Sequence, residues 1–448
     1  MAVYSFKGGV HPKGNKELTA EKALTELIPQ GDMVYPLSQH IGKPAAPVVK
    51  KNDMVLAGQL IAQADGFISA NIHSACSGKV KAIDRRLNAS GVPCDCIVIE
   101  NDGQFTPAPG VGELVDYSGF TPQEIVAKIK DAGIVGLGGA GFPTNVKMMP
   151  KNPEEIHYIV ANGAECEPGI TCDDRLMREH TDWVVEGLKI VLSIFPNAKG
   201  VIAIEDNKPG AIKAMEEAVK GNEKLSVLTL KTKYPQGGER NLVHAVTGMY
   251  MESGALPASL GVIVDNVATL AAIYRAVAYN EPLMTKGFTA TGDAFNNPGN
   301  FTVRLGTSLK EIVEAAGGLK EGAKKIILGG PMMGPAISNL DAPIVKANNA
   351  LTAYMEDEVE KAELQMNACI RCGRCTRVCP LGLMPQQMAK ACERGDIERF
   401  VKLSGADCIQ CGTCSFICPA KRPLTQLFKQ TKPVAMSYIR MQAQKKEA

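Results

Sequence analysis

Apolar positions recur along the chain with two periods that switch at turn residues. From about 31 to 100 they come in short runs broken by Gly, Asp and Asn. Examples are Val48-Val49-Lys50-Lys51-Asn52-Asp53-Met54-Val55-Leu56-Ala57-Gly58-Gln59, Ile72-His73-Ser74 and Ser77-Gly78-Lys79-Val80. Such runs predict a small all-β unit. From about 105 to 280 the period alternates. Helical spacing covers 122–132, with Thr121 as cap and Pro122 in the first turn, and then 173–195, 209–220, 239–247 and 266–279. Strand-like runs lie between them at 157–160, 200–204, 225–230 and 261–264. This alternation predicts α/β layering. Short strands return from about 283 to 345. Beyond 346 the spacing is helical, with two helices expected in 385–402 around Gly395.

The fold class is therefore an α/β multidomain chain. The expected division is 1–104 for an N-terminal segment and β-sandwich, 105–282 for a Rossmann-like domain, 283–345 for a small β unit and 346–448 for a helical tail. The 48–80 stretch resembles the lipoyl/biotinyl carrier sandwich. A carrier needs a lysine at the hairpin tip, but the tip here is Asp65-Gly66-Phe67-Ile68, so a structural or docking module is expected. Residues 302–334 resemble an SLBB-type β-grasp module. Trp183 is expected in the core, and His11 in a structural hydrogen bond.

With 448 residues the chain has room for about three domains, and 45% hydrophobic content supports real cores. A net charge of +2 leaves no basic excess for phosphates, so no nucleic-acid partner is expected. The start lacks an apolar signal core. No run reaches the roughly 18 apolar residues of a membrane span. A cytoplasmic chain with reduced thiols follows, able to dock on a membrane complex through a partner.

Eight of the fourteen cysteines form two runs, Cys369-x-x-Cys372-x-x-Cys375-x-x-x-Cys379-Pro380 and Cys408-x-x-Cys411-x-x-Cys414-x-x-x-Cys418-Pro419. Three thiolates at this spacing wrap one face of a cubane, and the fourth is carried to the partner cluster. The expected pairing is Cys369, Cys372, Cys375 and Cys418 on one [4Fe–4S] cluster, and Cys379, Cys408, Cys411 and Cys414 on the other. Zinc sites use pairs of cysteines rather than crowded triplets. A helical two-cluster ferredoxin unit is expected.

The second chemical signal is Gly136-Leu137-Gly138-Gly139-Ala140-Gly141-Phe142-Pro143-Thr144. It satisfies G-x-G-x-x-G, but a helix ends just before it, so the dinucleotide fingerprint fails on context. Its glycines still let the backbone approach a flat ring or phosphate. Three more polar loops follow predicted strands: Val160 to Gly169, Tyr234 to Asn241, and Asp265 to Leu270, where Asn266 caps a helix. Loops at strand carboxyl ends are where α/β sheets place ligands.

These four loops, in this order, resemble the NADH-oxidising flavoprotein subunit of respiratory complex I. The opening Phe6-Lys7-Gly8-Gly9-Val10-His11-Pro12, the sandwich and the two cysteine runs add a resemblance to the RnfC/RsxC family of the Rnf/Rsx electron-transport complex, over nearly the whole chain. That resemblance implies FMN against Gly136, Gly138, Gly139, Gly141 and Lys147. It implies Asn162 and Glu165 at the flavin edge, with Glu167 and Phe142 toward NADH. Gly237, Gly238 and Glu239 would continue the pocket, with Asn266 and Thr269 near the phosphate. Leu137, Gly163-Ala164, Gly238-Glu239 and Asp265 depart from the relative's pattern and lose or move polar contacts. The resemblance also implies an NAD-linked oxidoreductase of the translocase class. It would exchange a hydride between NADH and FMN, with no side-chain acid or base, and pass single electrons through two [4Fe–4S] clusters. Its partners would be NADH/NAD and the other members of the complex, including a ferredoxin-like one, on the cytoplasmic side of the membrane. The alternative is a non-catalytic electron relay and assembly subunit with a vestigial pocket.

Overall fold

The computed structural model describes residues 3–447. Its centre is a four-stranded parallel sheet in the order Leu225–Leu230, Lys199–Glu205, Tyr158–Gly163, Val262–Asn266. The chain steps outward twice from Tyr158–Gly163, then returns to the other side of that strand. The order reverses between Tyr158–Gly163 and Val262–Asn266, which opens a crevice at their carboxyl ends. Ile159, Ile202 and Ile263 are buried in this sheet, as the apolar runs predict.

The single helix expected over 173–195 is two helices, Cys172–Glu179 and Thr181–Ile194, separated by His180 at φ −130°. Each half has its own support: the first packs on helix Pro209–Val219, the second on helix Val267–Tyr279. Gly187 makes the second packing possible, since a Cβ there would lie 1.9 Å from the Leu270 carbonyl oxygen. Trp183 is half-buried, stacked on His180 at 3.9 Å with the Arg275 guanidinium over its ring.

The sandwich pairs two sheets. One holds Met33–Pro36, Pro93–Asn101, Gly78–Leu87 and Met54–Val55; the other holds Ala46–Pro47, Leu60–Gln63 and Ile72–His73. Met33, Tyr35, Ile61, Ile72 and Ile97 fill the space between them. The β-grasp sheet has five strands: Leu24–Glu26, Gly299–Arg304, Thr285–Thr291, Ala350–Tyr354 and Lys325–Leu328. Two of these, Leu24–Glu26 and Ala350–Tyr354, come from outside 283–345. The C-terminal unit gathers helices Pro385–Glu393, Ile397–Lys402 and Leu424–Glu447 around Met388, Phe400 and Phe428, with the break at Gly395.

The segment before Leu24 is an arm that ties these units together. Tyr4 bridges to Leu230 and Val10 to Tyr234. The Gly9 amide donates to the Val378 carbonyl at 2.8 Å. Gly8 and Gly9 have φ of +87° and +78°. A Cβ on Gly8 would lie 2.8 Å from the Cys379 carbonyl oxygen, and one on Gly9 2.7 Å from that of Tyr234. The Gly-Gly pair therefore threads a gap that no side chain fits. Among the described residues, no helix is long and apolar enough to cross a membrane.

Candidate functional site

The glycine loop lies at the crevice. The Gly136 amide donates to the Phe142 carbonyl at 2.9 Å, and the Leu137 amide to the buried Thr269 hydroxyl at 3.0 Å. These two bonds close the loop and anchor it to helix Val267–Tyr279. Gly138, Gly139 and Ala140 are exposed, and their amides have no acceptor among the described residues. A row of free amides is suited to an anion or a polar ring edge. Gly138 sits against Asn266: a Cβ there would be 2.7 Å from Asn266 Nδ2. Gly141 faces the other way and lets the loop approach the sandwich backbone at Gln39 and His40. Phe142 is half-buried on the loop.

Asn266 caps its helix by accepting from the Ala268 amide at 2.8 Å, and its Nδ2 donates to Asp173 at 2.6 Å. Asn162 Nδ2 donates to the Gly237 carbonyl at 3.0 Å, joining the second loop to the third. Lys147 Nζ donates to the Val264 carbonyl at 2.7 Å and to Asp265 at 3.3 Å. Burial pulls the Lys147 ammonium down, but Asp265 and Glu239 outweigh it and hold it above its ordinary range. Burial raises both Asp265 and Glu239, opposed by Lys147. One oxygen of Asp265 is buried with no hydrogen-bond partner. So the glycine loop, Lys147, Asn162, Gly237, Gly238, Glu239, Asn266 and Thr269 come together at one sheet edge.

Glu165 and Glu167 each have protein partners of their own. Glu165 stands at φ +46°, and its carboxyl accepts from the Asp173 and Asp174 amides at the start of helix Cys172–Glu179. Burial pushes it up to about 8, against the pull of Lys16. Lys16, from the arm, donates to the carbonyls of Glu165, Glu167 and Ile170. Glu167 accepts from the Met332 amide at 3.1 Å and the Tyr234 hydroxyl at 3.3 Å. It therefore ties the acidic loop to the β-grasp turn, and burial lifts it to about 7. Lys16, Asp173 and Met332 were not singled out from the sequence as site residues, and Tyr234 only as the start of its loop. Their partners lie far along the chain, 149 positions for Lys16 to Glu165 and 165 for Met332 to Glu167. Only the Asp173-Asp174 pair after the acidic loop carried a local signal.

The two cysteine runs share one backbone conformation. Arg371 and Gln410 both have φ +56°, Gly373 and Gly412 have +70° and +85°, and Gly382 and Lys421 have +66° and +53°. Helices Arg374–Val378 and Thr413–Phe416 follow in register and pack on each other. Cys379, Cys408, Cys411 and Cys414 line one cavity, with Leu381, Met388 and Phe428 in its wall. Cys375 and Cys418 are near enough for their thiols to interact electrostatically. Four soft donors from two runs around one cavity fit an iron–sulfur cluster. Cys411 packs with Val10 and Tyr234, flanked by Cys166 and Met332. Cys166 Sγ in turn accepts from the Gly237 amide at 3.4 Å. A packed path thus runs from the crevice through Cys166 and Tyr234 to Cys411.

Comparisons with known proteins agree with this organisation. Residues 4–104 match the RnfC barrel sandwich hybrid domain, 129–275 the Nuo51 FMN-binding domain and 288–336 the SLBB domain. The chain is 44% identical over 386 residues to the C component of the proton-translocating ferredoxin:NAD(+) oxidoreductase complex of Clostridium ljungdahlii, covering 86% of this chain and 84% of that one. It is 42% identical over 429 residues to the C component of the ion-translocating oxidoreductase complex of Rhodobacter capsulatus (95% and 82% covered). It is 41% identical over 420 residues to the C component of the Na(+)-translocating ferredoxin:NAD(+) oxidoreductase complex of Acetobacterium woodii, with 94% of each covered. From this identity, and from three matched domains in the order the fold displays, the chain belongs to the RnfC family of ion-translocating oxidoreductase complexes.

Proposed function

We propose that this chain is the NAD(H)-reactive peripheral subunit of a membrane-bound complex coupling ferredoxin:NAD electron transfer to ion translocation, seated on the cytoplasmic side. FMN, when bound at the crevice, supplies hydride exchange with NADH and releases or accepts electrons one at a time. The chain's part is to bind, align and insulate. The free amides of Gly138 to Ala140 receive polar atoms of the cofactor, and Lys147 offers its ammonium to the phosphate. Asn162, held by Gly237, presents its amide to the ring edge. Glu239, Asn266 and Thr269 fix the surrounding loops. Cys379, Cys408, Cys411 and Cys414 hold the inner [4Fe–4S] cluster, and Cys369, Cys372, Cys375 and Cys418 the outer. Glu165 and Glu167 act on the acidic loop's shape, and through it on where NADH rests.

The observation that carries this reading is the packed path from Gly237 through Cys166 and Tyr234 to Cys411. A pocket serving only as a docking scaffold has no need of that adjacency. The test is an anaerobic preparation reconstituted with FMN, iron and sulfide. It should hold about eight irons, and NADH should bleach both flavin and cluster absorbance. Gly138→Ala places a Cβ 2.7 Å from Asn266 Nδ2. It should weaken FMN retention at least about tenfold and leave iron unchanged. Iron falling in step with flavin, or zinc in the cysteine runs, overturns the assignment.

A further inference from the structure

The two cysteine runs share a backbone, but their surroundings differ. The second run is covered. A Cβ on Gly412 would lie 2.8 Å from the Met332 carbonyl oxygen. Lys432 donates to the Cys408 carbonyl, Ser253 donates to Asp407, and Cys411 and Cys414 are buried. The first run is open. A Cβ on Gly373, the equivalent of Gly412, would meet nothing within 4 Å. Cys369 and Cys372 are exposed, and Ile370 between them is 65% exposed.

Charge follows the same split. Aligned by their cysteines, the runs place Arg371, Arg374 and Arg377 where the covered run has Gln410, Thr413 and Phe416. All three arginines are exposed, and none has a side-chain hydrogen bond or ion pair among the described residues. No Asp or Glu occurs from 365 to 392 or from 408 to 446. Acidic residues upstream sit around helix Glu358–Leu364, where Asp357 pairs with Lys325 of the β-grasp sheet. Glu393 is taken by Arg422. The covered run has one cation bound to its backbone, Lys432 on the Cys408 carbonyl, and no arginine within it. Its one exposed counterpart position carries Phe416, whereas the open run carries three cations unpaired among the described residues.

We infer that the face formed by Cys369, Ile370, Arg371, Cys372, Arg374 and Arg377 docks a separate redox protein that presents carboxylates around its own one-electron centre. This rests on the reading that the first run holds the outer cluster. Ile370 supplies the apolar centre of the contact and the arginines its steering rim. Complementary charge of this kind raises encounter rates and is weakened by salt. The transfer is a single electron between the two centres, with no bond made or broken.

The test uses the anaerobic, fully loaded chain and an acidic plant-type [2Fe–2S] ferredoxin as probe. The methyl viologen radical, a cation that needs no docking, serves as comparison. Stopped-flow reduction by the ferredoxin should slow about tenfold or more between about 0.01 and about 0.15 M salt. The variant R371Q/R374Q/R377Q should react about tenfold more slowly at low salt and lose most of that dependence. R371K/R374K/R377K should keep it. Viologen rates and iron content should stay level throughout. Binding measured with both proteins oxidised should weaken in the Gln variant alone. A salt-independent ferredoxin rate overturns the inference. So does a Gln variant with the parent's rate and slope, or one whose viologen rate falls equally, which would place the arginines' effect on the cluster. Failure of the underlying reading looks different: iron and the second cluster signal would be missing before any probe is added.

Discussion

Lys16→Met tests whether the arm pins the acidic loop. The substitution keeps the stem and removes the ammonium. Lys16 Nζ donates to the carbonyls of Glu165 at 2.9 Å, Glu167 at 3.2 Å and Ile170 at 2.5 Å, and lies 3.9 Å from the Glu165 carboxyl. Two effects compete for importance. Burial raises the Glu165 carboxyl and lowers the Lys16 ammonium, so it disfavours the charged pair, whose contact is already long at 3.9 Å. The carbonyl bonds dominate. Hydrogen bonds to a charged donor contribute about 1.5–3 kcal/mol each. Three share one ammonium, and water regains part of the loss, so about 3 kcal/mol is the expected cost. The effect should be local, because the arm meets this loop without entering the core of the parallel sheet. At about 1.4 kcal/mol per decade, amides in 164–171 should exchange roughly a hundredfold faster. The Gly169 amide, which donates to Gly14 of the arm, should respond most. Hydrogen exchange resolved by peptide reads this directly, with helix Glu239–Thr247 as the unaffected reference. Unchanged protection in 164–171, or equal loss in both segments, refutes the pin.

Three further outcomes are expected. Burial raises Glu167 to about 7, opposed by the Met332 amide and Tyr234 hydroxyl, so the folded chain keeps a proton that the unfolded chain releases. Wild-type stability should decline as pH climbs from about 4.5 to about 7. Glu167→Gln, whose one carbonyl oxygen accepts from the Met332 amide while its NH2 donates to the Tyr234 hydroxyl oxygen, does not ionise and should escape this. The gap in melting temperature should widen over that range, and a constant gap would count against the cause. Cys379→Ser and Cys408→Ser should each remove the same cluster by EPR, with Cys418→Ser removing the other; a loss grouped by run would refute the crossed pairing. Gly9→Ala meets both a left-handed φ of +78° and a contact of 2.7 Å, a cost of at least about 1–2 kcal/mol. It should slow NADH-driven reduction of the clusters while flavin reduction keeps its rate, and equal rates for both would show the arm to be dispensable.

Much of the α/β domain was legible because each element carries its own period and cap. Helix Glu239–Thr247 has its expected limits, and Thr121 and Asn266 cap as read. The break at His180 was hidden because apolar spacing runs on from Leu176 and Met177 to Val184 and Leu188. The last strand of the β-grasp sheet, Ala350–Tyr354, is short and follows a long irregular stretch, and its partner in Thr285–Thr291 is set only by tertiary packing. The site divided in the same way. Glycines and capping Asn residues announce themselves in a row of letters. The engagement of Glu165 and Glu167 depends on Lys16 and Met332, whose proximity no local pattern encodes.

The order of the central sheet decides which cysteines lie nearest the crevice. The crevice opens between Tyr158–Gly163 and Val262–Asn266, yet the loop that reaches the C-terminal unit follows the opposite edge strand, Leu225–Leu230. Tyr234 on that loop touches Val10, Glu167 and the surroundings of Cys411. Gly237, three residues on, returns to Asn162 in the crevice. One loop thus spans the distance between the crevice and the cysteine-lined cavity. Met332 of the β-grasp turn and Gly8-Gly9 of the arm clamp the cysteine unit against it from two sides. These restraints fall on Gly412 and on the Val378–Cys379 backbone, which borders the inner cavity. None reaches the exposed loop from Cys369 to Arg374. The cysteine unit is thus held by packing on the side of Cys379 and Cys411, while these restraints leave its 369–374 loop untouched.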